Sequence, residues 1–182
     1  MRVARPAWLN IKSVIFIILI LLIAGGYFGY RVHKNKTAQN ATVAQTNISL
    51  FKNLNNPGDM RVLAASYEQN QEYGKAEDTW KKVSQQTNDI NDYWSLLNVC
   101  ANYKVSDKES CVQGATSALQ RKVKSLDFTT AYSIGATLET NGFKKMSVPF
   151  YQQALAVYKP QSGGASFPTQ QQLQAKINEL SK

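Results

Sequence analysis

Acidic residues are missing from the first 57 positions of this 182-residue chain: seven lysines and arginines stand there without one aspartate or glutamate. Residues 58–182 hold fourteen lysines and arginines against twelve acids, so the formal charge of +9 is mostly local to the N-terminal part. A nearly balanced remainder lacks the basic face that nucleic-acid binding needs, and no nucleic acid is expected as a partner. Histidine occurs once, as His33 among lysines, and cysteine twice, as Cys100 and Cys111. That spacing fits neither a zinc site nor a Cys-x-x-Cys redox pair. Gly163 and Gly164 have no Lys-Ser/Thr after them, which excludes a phosphate-cradling loop of the usual kind. The acid pairs Glu77 with Asp78 and Asp107 with Glu109 lie beside lysines on expected helix surfaces or turns, as solvated faces do. No catalytic residue, metal or cofactor is expected, and the chain reads as a non-enzyme.

Charge of either sign is also missing from "SVIFIILILLIAGGYFGY", Ser13 to Tyr30. Eighteen helical residues extend ~27 Å, close to the hydrocarbon thickness of a bilayer, and Trp8, Tyr27 and Tyr30 suit its interfaces. The reading is a short basic tail (1–12), a transmembrane signal-anchor helix (13–30) and a polar linker (31–57). A cleaved signal peptide ending near Ala24, Gly25 and Gly26 is the alternative. Lysines and arginines flank the run on both sides, so charge alone orients it weakly. Cys100 and Cys111 supply the second argument: eleven residues apart across an expected helix, turn and helix, they are either a disulfide pair or two small core residues. A disulfide places the C-terminal domain outside the cytoplasm. The linker carries Asn-x-Ser/Thr triplets at Asn35, Asn40 and Asn47, which its Asn/Thr-rich composition generates by chance.

What is plentiful is helical periodicity that repeats. Leu63, Ala64, Tyr67, Ala76, Trp80 and Val83 return 71 positions later as Ile134, Gly135, Leu138, Ser147, Tyr151 and Ala154. Near half that distance, shifts of 34 and 35 give Trp94 for Met60, Leu97 for Leu63, Cys111 for Ala76, Ala118 for Val83 and Leu119 for Ser84. In this middle copy the expected aromatics are replaced by Ala101 and Ala115, and the turn "YKVSDKE" is longer. Six helices follow, about 58–70, 73–87, 90–103, 107–123, 127–140 and 146–158, the last starting near Ser147 so that Pro149 falls in its first turn. Beyond the Gly/Pro loop, "TQQQLQAKINELSK" places Leu173, Ile177 and Leu180 on one face of a seventh helix, a polar-backed cap at 161–182.

The small and aromatic residues of residues 58–160 resemble the tetratricopeptide repeat, most closely through Ala64, Tyr67, Tyr73, Ala76 and Trp80. The resemblance implies an all-α, right-handed superhelical array of about three helix-turn-helix repeats plus a C-terminal capping helix, preceded by one transmembrane helix. It also implies a single-pass, membrane-anchored scaffold or adaptor that binds a protein partner of a bacterial envelope, secretion or pilus assembly. The groove of such an array would present Arg61, Ala65, Glu68 and Gln69, then Ser95, Val99 and Asn102, then Tyr132, Ala136 and Glu139. Glu68 and Tyr132 are accordingly expected to be dispensable for folding. An envelope-polymer or anionic-lipid binder, using Arg31, Lys34, Lys36 and Lys52, is the alternative, and an enzyme's accessory domain a third reading.

Overall fold

Side-chain caps decide where most of the helices start. Asn56, Asp89, Asp107, Asp127 and Thr169 each accept a hydrogen bond from a first-turn backbone N–H. Each satisfies a donor that the helix leaves unpaired at its N-terminus. Thr169 does so within a capping box, Gln172 bonding back to its amide. The resulting architecture was obtained as a computed structural model that describes residues 41–52, 55–159 and 167–182. The transmembrane reading of 13–30 lies outside the described residues, as do the basic tail and residues 31–40, 53 and 54 of the linker. Among the described residues every regular element is helical, and no helix is long and apolar enough to cross a membrane.

The chain divides into two compact units, Met1–Ala44 and Gln45–Lys182. Helix α1 is described over 41–51, within the stretch that composition marks as a linker. Ala44 and Ile48, one turn apart, are buried, and two such apolar positions are too few to stand out from a polar background. The second unit continues with α2 (Pro57–Gln69), α3 (Tyr73–Thr87), α4 (Ile90–Asn102), α5 (Lys108–Gln120), a single 3-10 turn (Val123–Ser125), α6 (Phe128–Thr140), α7 (Lys144–Ala156) and α8 (Gln170–Leu180). Consecutive helices pack in hairpins, α2 on α3, α4 on α5 and α6 on α7, with α3 joining the first hairpin to the second and α8 closing on α7.

The first and third hairpins share their helix starts at a displacement of 71, Pro57 answering to Phe128 and Tyr73 to Lys144, and α7 ends two residues short of the counterpart of Thr87. Their turns also agree. Gln71 (φ 61°) and Gly142 (φ 89°) both adopt the left-handed conformation. Glu72 N–H bonds to Tyr67 O as Phe143 N–H does to Leu138 O, each at 2.8 Å, the signature of a Schellman turn. The middle hairpin departs. Helix α4 begins 33 positions after α2, so Leu96 and Leu97, not Leu97 alone, stand where α2 has Leu63 and Ala64. The turn before α5 spans 103–107, against three residues in the other two hairpins.

Pro149 is the clearest correction. Helix α7 begins at Lys144, three residues before the expected start, and Pro149 sits inside it. The Schellman turn ends at Phe143 and launches the helix at once, whatever follows. Pro149 denies a donor to the carbonyl of Lys145, but Lys145 is exposed, so water can take that bond.

The core runs through all three hairpins. Leu97, Cys100, Val112, Leu119, Ile134, Leu138, Phe150, Tyr151 and Leu173 are essentially inaccessible. Small residues permit the close approaches: a Cβ on Gly135 would lie 3.0 Å from the Tyr151 ring, so the glycine is where that aromatic seats. Cys100 and Cys111 are joined as a disulfide, with Cα atoms 5.7 Å apart, tying α4 to α5.

Candidate binding surfaces

Of the ten residues expected to line a groove, Ala65, Gln69 and Ser95 remain accessible and have no evident structural role. Ala65 and Ser95 are half-buried and Gln69 is exposed. Ala136 is half-buried on α6. Val99 is fully buried, because α4 turns it inward beside Cys100, and it is not available to a partner. The other five are engaged within the protein.

Arg61 forms a two-pronged ion pair with Asp92, Nε to Oδ1 at 2.8 Å and Nη2 to Oδ2 at 2.7 Å, linking α2 to α4. Thr87 Oγ1 donates to the same carboxylate at 2.6 Å. Burial alone would raise the Asp92 pKa, yet the Arg61 and Thr87 hydrogen bonds and the Arg61 charge hold it below the ordinary range. Sequence reasoning does not single out Asp92. The signal is its place on the apolar stripe of α4, four residues before Leu96.

Glu68 accepts the Trp80 indole N–H at 2.6 Å, and burial raises its pKa against that hydrogen bond. Glu139 accepts the Tyr151 hydroxyl at 2.5 Å and both its oxygens meet Lys176 Nζ, at 2.7 and 2.8 Å. Burial opposes the charged form of Glu139, but the Lys176 and Tyr151 hydrogen bonds and the Lys176 charge bring its pKa below the usual value. The phenol of Tyr151 is raised, first by burial and then by Glu139. Asn102 accepts from Asn141 Nδ2 at 3.1 Å. Tyr132 packs into an aromatic cluster, 5.7 Å from Tyr151, 5.4 Å from Phe167 and 6.1 Å from Phe128 between ring centroids. The α6 end of the expected groove is thus closed by the C-terminal segment, through Phe167 and Lys176. Glu68 and Tyr132, expected to be free for a ligand, are half-buried and engaged within the protein, Glu68 with Trp80 and Tyr132 in the aromatic cluster.

An open concavity lies elsewhere. A groove of about 560 Å³ runs between α3 and α5 over α4. Its floor is Tyr93, Leu96, Ala115 and Ala118, and its charged rim is Glu77, Lys81, Asp107 and Arg121. Burial, and then the charges of Asp78 and Asp107, raise the Glu77 pKa, with Lys81 opposing. In sequence the missing aromatic at Ala115 reads as weakness in the repeat, not as space. Among the described residues no group of three or more histidine, cysteine or acidic side chains is placed to hold a metal ion.

Comparison with protein-family models, with curated proteins and with solved structures finds no match for the chain.

Proposed function

We propose that the chain is a membrane-tethered scaffold of tetratricopeptide type, whose helical part lies outside the cytoplasm and binds a protein partner of an envelope complex. The observation that carries this reading is the 71-position recurrence of a hairpin: the same helix starts, the same Schellman turn and the same carboxylate-to-aromatic hydrogen bond, Glu68 with Trp80 and Glu139 with Tyr151. Recurring packing of this kind builds an extended surface and spends its informative side chains on stacking. The Cys100–Cys111 disulfide supports the extracytoplasmic placement, since such bonds persist in oxidising compartments. The apolar run at 13–30 supplies the tether.

Photo-crosslinking from Gln69 and Ser95 in the full chain, expressed in cells, tests the reading. One discrete protein adduct at both positions is expected. Adducts to lipid or polysaccharide alone would sink the scaffold in favour of an envelope-polymer or anionic-lipid binder. Reporter fusions after Lys182 test the orientation, and a reporter active in the cytoplasm would overturn it.

A further inference from the structure

Along the groove between α3 and α5 the middle hairpin has two small residues, Gly114 and Ala115, where one or both of its neighbours have a larger side chain. Helix α5 starts 35 positions after α3 and 36 before α7, at Lys108 against Tyr73 and Lys144. Gly114 therefore answers to Thr79 and Phe150, and Ala115 to Trp80 and Tyr151. Phe150 and Tyr151 are buried to within 1% and Trp80 to within 8%, so both flanking hairpins place a buried aromatic at the Ala115 position, and at the Gly114 position α7 places Phe150 and α3 the smaller Thr79. A Cβ on Gly114, by contrast, would meet nothing within 4 Å. The space left, about 560 Å³, falls in the range of sites that seat a bulky side chain or small ligand.

Charge is ordered along it. Helices α3 and α5 both run antiparallel to α4 and hence parallel to each other. Glu77, in the first turns of α3, and Asp107, the N-cap of α5, share one end of the groove, where burial and then the charges of Asp78 and Asp107 raise the Glu77 pKa. Gln85 and Arg121, after most of either helix has passed, mark the other end, and Lys81 stands between. One end attracts a cation, the other an anion, and the apolar floor lies between them.

We propose that this groove receives a segment of a partner protein that lays one aromatic side chain over Gly114 and Ala115, with a lysine or arginine at the Glu77–Asp107 end and a carboxylate at the Arg121 end. The inference rests on the scaffold reading and deepens it. It assigns recognition to a face built mainly from the second helices of two hairpins, distinct from the Ala65–Gln69–Ser95 face. The aromatic covers the open position at Gly114, where an added Cβ meets no side chain within 4 Å, and the flanking charges fix its register.

Fluorescein-labelled nine-residue peptides serve as probes against the full chain, read by polarisation: lysine and glutamate flanking a central tryptophan, in both orders, the same with central alanine, and tryptophan between two glutamates. At least one lysine–tryptophan–glutamate order is expected to bind, with the alanine-centred and doubly acidic peptides weaker by roughly tenfold or more. Gly114→Phe, which supplies from within the side chain that α7 has as Phe150, is expected to retain the melting temperature and lose binding by a similar factor. Glu77→Lys, a rim change that leaves the floor intact, should shift preference to the doubly acidic peptide; it decides the matter should Gly114→Phe fold poorly. Failure of every tryptophan peptide to bind, or binding unaltered in Gly114→Phe, overturns the proposal. Crosslinking from Gln69 that survives in Gly114→Phe while no peptide binds leaves the scaffold standing and removes this groove from it. Self-association seen by sedimentation and abolished by Gly114→Phe would make a second copy the occupant, which also overturns the proposal.

Discussion

Trp80 donates its indole N–H to Glu68 at 2.6 Å, and 71 positions along the chain Tyr151 donates its hydroxyl to Glu139 at 2.5 Å. The two carboxylates play the same part in opposite electrostatic settings. Burial dominates at Glu68 and raises its pKa; Lys176, brought in by α8, helps lower that of Glu139. The same substitution should therefore have different effects. Glu139→Gln keeps an acceptor for Tyr151 but loses the ion pair to α8, and is expected to cost roughly 1 to 2 kcal/mol after allowance for partial exposure. Glu68→Gln keeps an acceptor for Trp80 and removes a desolvated charge, so at neutral pH it should change stability by about 0.5 kcal/mol or less, or raise it. Thermal melts of the two variants compare them directly, and a large loss from Glu68→Gln would show that its charge is needed.

Trp80 is 8% exposed and belongs to the core, as its repeated spacing predicts. Trp80→Ala is expected to cost about 3 to 5 kcal/mol. Tyr132→Ala, at a position that sequence assigns to the groove, should cost about 2 kcal/mol, because it breaks ring contacts with Tyr151, Phe167 and Phe128. Gln69→Ala, on an exposed site, should stay within about 0.5 kcal/mol of the parent. Denaturant midpoints rank the three.

Helix positions are legible in sequence because burial must repeat with the helical period, and five of the starts carry a capping side chain that sequence displays. The start of α7 is misplaced when Pro149 is given more weight than the turn, whose backbone geometry is fixed at Leu138 to Phe143. The groove residues are misjudged for a different reason. A periodic pattern says which face a side chain occupies, not what another hairpin brings to that face. Asp92 reaches Arg61 from 31 positions away, and Lys176 reaches Glu139 from 37. The open groove is legible in principle, since Ala115 sits where Trp80 and Tyr151 recur, and Gly114 where α7 has Phe150.

The two Schellman turns offer a test free of packing changes. Gly142, at φ 89°, has nothing within 4 Å of where a Cβ would be, so Gly142→Ala is penalised by backbone conformation alone, about 1 to 2 kcal/mol. Gln71 already bears that penalty at φ 61°, and Gln71→Gly should recover up to about 1 kcal/mol. Opposite shifts in melting temperature are expected.

Acid should unfold the protein partly through Asp92. Its folded pKa is depressed, so its contribution is present above the unfolded value, about 3.9, and is lost as pH falls through the folded one. Glu139 acts in the same direction from its own ordinary value, whereas the raised Glu68 acts in the opposite one, favouring the fold as it protonates. Arg61→Ala strands the Asp92 carboxylate with Thr87 and is expected to cost about 2 to 3 kcal/mol at neutral pH, less in acid once Asp92 protonates. Replacing both, as Arg61→Met with Asp92→Leu, should cost less than Arg61→Ala alone. Stability profiles from about pH 2 to 7 separate these cases, and a pH-independent loss in Arg61→Ala would contradict the assignment.

The disulfide should stabilise the middle hairpin, which has the longest turn and lacks the carboxylate-to-aromatic bond of the other two. Cys100 and Cys111 are separated by 11 positions, and closing a loop near that length removes unfolded-state entropy worth about 3 kcal/mol. Cys100→Ala with Cys111→Ala is expected to lower stability by about that amount, and reductant should lower the parent to a similar level while leaving the double variant unchanged. Cys111 also lines the groove between α3 and α5, so reduction reaches the proposed binding face through α5. Peptide affinity measured with and without reductant should fall in the parent and stay constant in the double variant. A parent whose melting is indifferent to reductant would show that α4 and α5 are held together by their buried side chains alone.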